Sequence, residues 1–203
     1  MIGISEQGGS DRVLGLIEAL LRLSGTSLAG VEAIAVSRGP GSLTALRVGI
    51  GTARGLATGA GKRLVGVSSL QAVAAGLGSG APVLALLEAG RGELYGGLFR
   101  AGLPPEPVGR ERIAAPDAFA RAAEGRAVRL AGNGAPRCRT LFPKEAWLPG
   151  SCEEFLAASV GRVAGALLEA ARGDEVIAGG SSADLDPTPR YLRREALDVR
   201  FEE

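Results

Sequence analysis

The chain contains no histidine. That absence removes much of enzyme chemistry: no Ser-His-Asp or Cys-His arrangement, no imidazole general base and no histidine metal ligand. Lysine is nearly missing as well, with Lys62 and Lys144 the only two, so the basic charge is carried by arginine. Neither sign of charge is in excess. The 23 basic and 22 acidic side chains leave a formal net charge of +1, which speaks against a broad basic footprint for nucleic acid. Cysteine occurs only as Cys138 and Cys152. Their spacing fits no zinc or Cys-x-x-Cys pattern, and two unpaired reduced thiols are expected. No carboxylate cluster has metal-ligand spacing, so no metal site is expected. No apolar run approaches the ~18 residues of a membrane span. The start at Met1-Ile2-Gly3-Ile4-Ser5-Glu6 lacks the layout of a signal peptide. A soluble, cytoplasmic protein is expected.

What is abundant is glycine, 32 of 203 residues, against about 14 at the usual ~7%. Glycine and proline together stay below the ~25–30% typical of low-complexity chains, and 46% of the residues are hydrophobic. The length suits one ordinary domain or two small lobes sharing a core.

Apolar periodicity predicts a helix from Asp11 to about Ser24, capped by Ser10 and stopped by Gly25. Its polar or small positions, Asp11, Gly15, Glu18 and Arg22, make one narrow stripe. Leucine, isoleucine and valine cover nearly everything else, so burial on two sides is expected, one side against its own sheet and the other against more of this chain or a partner. Glu32 to Ser37 reads as a buried strand, and the turn Arg38-Gly39-Pro40-Gly41-Ser42 leads into a helix from Leu43 to about Thr58. Gly49, Gly51 and Gly55 lie inside that helix at about 1 kcal/mol each relative to alanine. Close approach of another backbone or helix is the simplest compensation. Arg63 to Val67 reads as a strand, with a helix from Leu70.

The Gly-rich stretch 75–81 marks a boundary, giving an N-terminal lobe over 1–80 and a C-terminal lobe over 81–203. The second lobe reads as strands at 82–88, 93–100 and 108–113, a helix at 116–123, a strand at 127–131 and a helix at 153–172. It runs β-β-β-α-β-α, whereas the first runs α-β-α-β-α. The fold class is α/β with mixed sheets.

Several segments could carry chemistry. The turn at 39–42 opens a helix, and a glycine-rich helix start exposes N–H groups to an anion. It lacks the lysine of a Walker A loop, and a structural tight turn is the default reading. Glu88 and Arg91 could form a polar site or simply flank a hairpin turn. Gly132-Asn133-Gly134 either approaches a ligand or turns the chain. Asp184 and Asp186 read as a solvated loop. Arg190-Tyr191-Leu192-Arg193-Arg194 reads as a surface ion-pair segment before an RNA contact.

The run Gly39-Pro40-Gly41-Ser42-Leu43-Thr44-Ala45-Leu46-Arg47-Val48-Gly49 resembles the signature of the bacterial TsaB (YeaZ) family. Gly66-Val67-Ser68-Ser69-Leu70, Arg91-Gly92-Glu93-Leu94-Tyr95 and Pro189-Arg190-Tyr191-Leu192-Arg193 agree in order and spacing. The resemblance implies an actin-like/sugar-kinase/Hsp70 ATPase fold of two β-β-β-α-β-α lobes. Here the first lobe's opening hairpin is expected to be missing, because Met1 falls almost at the first helix. It implies a non-catalytic subunit of the complex that transfers threonylcarbamoyl to N6 of adenosine 37 in tRNAs reading ANN codons. The implied partners are TsaD and TsaE, with a homodimer through the same helices in isolation and tRNA reached only through the complex. No cofactor is expected on this chain alone, and ATP or ADP is left open for the assembled complex.

The residues assigned to the partner-facing or lobe-packing helices are Leu14, Ile17, Leu21, Leu46, Ile50, Ala53 and Ala57. The motif residues are Gly39, Pro40, Gly41, Ser42, Thr44, Arg47, Ser68 and Ser69. Departures fall at Leu43, Ala45 and Glu88, where the family has Phe, Gly and Asp. The alternative is a stand-alone small-molecule kinase or peptidase-like enzyme on the same fold.

Overall fold

A computed structural model describes residues 12–77, 80–146, 156–173, 188, 189 and 192. The elements follow the expected order closely. Helix α1 (Val13–Leu23) ends where Gly25 takes a left-handed φ of 65°. Strand β1 (Ala33–Ser37) pairs in parallel with β2 (Arg63–Val67), Ala35 facing Val65. Between them runs α2 (Leu43–Ala60). At its start, the Ser42 side chain accepts from the Ala45 N–H. At its end, Gly61 at φ 62° lets the Gly61 and Lys62 N–H groups close on Thr58 and Ala57, satisfying last-turn carbonyls. Helix α3 (Ser69–Leu77) follows β2 directly.

The second sheet is formed by β3 (Val83–Gly90), β4 (Glu93–Arg100), β5 (Glu106–Ala114) and β6 (Arg129–Ala131), in the order β5-β4-β3-β6. Strands β3 and β4 form a hairpin through Arg91-Gly92, both at positive φ, as a two-residue turn matching strand twist requires. Strand β6 lies parallel to β3 on its other side. This central position explains why Val83 to Leu86 are all buried. Helix α4 (Pro116–Ala122) starts at a proline and sinks Phe119 into the core.

Two helices join the sheets. Leu70, Val73 and Ala74 of α3 pack with Val83, Ala85 and Phe99 of the second sheet. Ala72 and Ala75 pack with Val65 and Val67 of the first sheet and with Val160, Val163 and Ala164 of α5 (Leu156–Gly173). Helix α5 belongs to the 81–203 stretch in sequence but covers β1 and β2 of the first sheet.

Two expectations are not met within the described residues. Burial on two sides was expected of α1, yet none of its residues is buried, and Leu14, Leu20 and Leu23 are 57%, 59% and 75% exposed. The helix buried on two sides is α3, because it is α3 that lies between the sheets. Second, Gly49, Gly51 and Gly55 of α2 have nothing within 4 Å of where a Cβ would stand. The close approach expected to compensate for them does not occur within the described residues. The Ser10 cap and the opening hairpin fall on residues 1–11, outside the described residues. No described helix is long and apolar enough to cross a membrane.

Candidate functional site: the cleft at the glycine turn

The turn at 38–42 is held from behind by the start of α3. The Arg38 N–H donates to the Val67 carbonyl at 2.8 Å and the Ser69 N–H to the Gly39 carbonyl at 2.9 Å. The Ser37 and Ser69 hydroxyls lie 2.6 Å apart in a hydrogen bond. Gly39 has φ 100°, and Gly39 and Pro40 are both buried. Thus tethered, the turn presents Gly41, Ser42 and the α2 N-terminus to one wall of an open cavity of about 640 Å³. Leu43 and Arg47 extend that wall, Glu88, Ala89 and Tyr95 line the opposite one, and Leu192 also borders it.

On the far wall, the Glu88 N–H donates to Asn133 Oδ1 at 2.8 Å, and the Glu88 carboxylate accepts from Arg137 at 3.4 Å. The partner of Glu88 is therefore Arg137, not Arg91, which sits exposed in the hairpin turn. The Gly132-Asn133-Gly134 segment turns the chain against its own strand. The Gly134 N–H donates to the Leu86 carbonyl at 3.0 Å, and a Cβ at Gly132 would sit 2.2 Å from the same oxygen. The glycines serve close approach to β3.

The cleft can offer an anion the start of α2 and the Arg47 guanidinium. The carboxylate that lines it, Glu88, is paired with Arg137. The Ser42 hydroxyl already caps its own helix. Among the described residues no three Cys, Asp, Glu or His side chains gather as metal ligands. Cys138 is free and buried outside the cleft; Cys152 lies outside the described residues.

The motif residues divide by location. Gly39 and Pro40 are buried, Gly41, Ser42 and Arg47 line the cleft, and Thr44 is exposed on the first turn of α2. Ser68 and Ser69 are each 5% exposed behind the turn. The partner-interface set divides too. Leu14 is exposed, Ile17 and Leu21 are half-buried, while Leu46, Ile50, Ala53 and Ala57 are buried within this chain. The last four form the face α2 turns to β1 and β2, so they are lobe-packing residues and are not available to a partner. Asp184, Asp186, Arg190, Tyr191, Arg193 and Arg194 lie outside the described residues.

Two functional contacts were not read from sequence. Arg137 gave no signal beyond its charge. Glu111 lies in the strand expected at 108–113, between Arg110 and Arg112, and was not singled out; it is 7% exposed and accepts from the Ser68 hydroxyl.

Residues 4–146 match the family model described as TsaD, tRNA N6-adenosine threonylcarbamoyltransferase. The tRNA threonylcarbamoyladenosine biosynthesis protein TsaB of Escherichia coli (strain K12) is 44% identical over 89 residues, 42% of this chain and 38% of that protein. A tRNA N6-adenosine threonylcarbamoyltransferase of Solidesulfovibrio magneticus is 36% identical over 203 residues, 92% of this chain and 54% of that enzyme. The chain thus spans 38% and 54% of the length of these two curated relatives. The solved structure of YeaZ from Pseudomonas aeruginosa superposes with a TM-score of 0.70 at 27% identity, over 94% of this chain and 87% of that one. With a family match over most of its residues, and TsaB and YeaZ among its relatives, the chain belongs to the TsaD family and to its TsaB/YeaZ group.

Proposed function

We propose that the protein is a non-catalytic subunit in the formation of N6-threonylcarbamoyladenosine at position 37 of ANN-decoding tRNAs. In this reading it presents α1 and the open face of α2 to the catalytic subunit TsaD. The observation that carries the reading is α1. Leu14, Leu20 and Leu23 stand in solvent, and burial of such a face must come from outside the described residues. On α2, Gly51, Gly55 and Gly59 recur every fourth residue with open space at each Cβ position. A partner helix can therefore come close to that backbone. The E. coli relative named as a threonylcarbamoyladenosine biosynthesis protein supports the assignment to this process. TsaE joins the assembly, a second copy occupies the helices when TsaD is absent, and any ATP or ADP belongs to the assembled complex.

Co-purification with TsaD of the same organism tests this. A Leu14→Glu/Leu20→Glu variant is expected to weaken the complex at least tenfold, since each leucine forfeits roughly 1.5–3 kcal/mol of apolar burial. Undiminished affinity would sink the reading. Charges at Ile50 or Ala53 would not serve, because those side chains lie in this chain's own core.

A second reading rests on one observation, the 36% identity with a threonylcarbamoyltransferase over 92% of the chain. In that reading the chain performs the transfer itself. Modified tRNA formed by the chain without TsaD would establish it, and the absence of product would leave the subunit role.

A further inference from the structure

Among the described residues four polar or charged side chains are buried, and three of them, Ser68, Ser69 and Glu111, meet at the start of α3. Ser68 precedes the helix. Its Oγ accepts the Gln71 N–H at 3.4 Å and donates its own proton to Glu111 Oε1. Glu111 belongs to β5, in the other sheet. It reaches the interior because the β4–β5 register shifts between Gly96 and Leu98, and because Gly97 leaves room for it. A Cβ at Gly97 would stand 3.2 Å from the Glu111 Cγ. Gln71 adds a second tie to the same side, donating to the Pro105 carbonyl at 3.0 Å. The next residue, Ser69, faces the first sheet, bonding Gly39 through its N–H and Ser37 through its hydroxyl. Adjacent serines thus hold one sheet each.

We infer that Ser68 and Glu111 form a buried latch between the two sheets, and that this latch holds the glycine turn at 39–42 in position against the Glu88–Tyr95 wall of the cleft. The latch lies behind the cavity and lines none of it, so both residues are positioning residues. The chemistry demands a hydroxyl. Only a group that accepts and donates at once can cap Gln71 and satisfy a carboxylate. Threonine keeps both functions and alanine loses both. Aspartate keeps the cap but sets a second negative charge against Glu111 in a buried place.

Hydrogen–deuterium exchange of the full chain tests this by comparing segment 38–47 with the paired strands at 84–98. Ser68→Thr is expected to match the wild type. Ser68→Ala should speed exchange at 38–47 about tenfold while 84–98 stays unchanged, and Ser68→Asp should do so by more. Adding Glu111→Gln to Ser68→Asp reverses the polarity of the bond, its amide donating to the new carboxylate, and should restore slow exchange at 38–47. That rescue decides the matter even where Ser68→Asp alone does not fold. No rescue, Ser68→Asp milder than Ser68→Ala, or equal acceleration in both segments would overturn the latch.

Discussion

At Gly132 a methyl group would stand 2.2 Å from the Leu86 carbonyl oxygen, on a backbone with φ 94°. Neither the strand nor the turn can yield cheaply. Gly132→Ala is therefore expected to cost about 3 kcal/mol or more in denaturant unfolding. An unchanged midpoint would contradict the packing described. Sequence alone left this segment open between a ligand loop and a turn, because the strand it must approach lies more than forty residues away in the chain. Cys138 makes a different residue-level statement. Burial pushes its thiol up from 9.0 to about 11, so at pH 8 about one molecule in a thousand carries the reactive thiolate. Peptide mapping after alkylation of the native protein should find Cys138 unmodified until denaturant is added. Because the folded-state value is raised, the stabilisation it brings is present below about pH 9 and is lost as pH rises through about 11. Unfolding midpoints should fall over that window in wild type and fall less in Cys138→Ala.

Among the elements, those whose signals are local were the legible ones. Helix α2 begins where Ser42 can cap it and ends where Gly61 can turn left-handed. The strands at 63–67 and 93–100 carry dense apolar runs between turn residues and fall where expected. What could not be read was which neighbour covers which face. The apolar pattern of α1 announces burial but not by what, and within the described residues nothing buries it. The strand pattern at 108–113 does not say which charged side chain turns inward, and one bulge and one glycine admit Glu111 to the interior. The glycines of α2 turn this ambiguity into a measurement. With open space at their Cβ positions, Gly51→Ala and Gly55→Ala should each stabilise the isolated chain by about 1 kcal/mol in thermal or denaturant unfolding. The same substitutions should weaken association with TsaD, where a partner helix would need the space. Stabilisation without loss of association would place the partner elsewhere.

On the scale of the whole molecule, the boundary expected near residue 80 marks a change of sheet rather than a division of the core. Helix α3 precedes the boundary but buries Leu70, Val73 and Ala74 against Val83, Ala85 and Phe99, which follow it. Helix α5 comes long after the boundary but buries Val160, Val163 and Ala164 against Val65 and Val67, which precede it. Each half therefore completes the other's core, and cutting the chain at 80 would expose apolar surface on both pieces at once. A small domain keeps only a narrow margin between burial and conformational entropy, and neither piece should retain it. Residues 81–203 expressed alone are expected to lack cooperative unfolding and to show little protection in hydrogen exchange, even along β3 and β4. The intact chain should unfold in one transition, with the circular dichroism curve and the exchange of 63–67 and of 84–98 giving the same midpoint. Two separated midpoints would mean that the α3 and α5 contacts are too weak to couple the sheets.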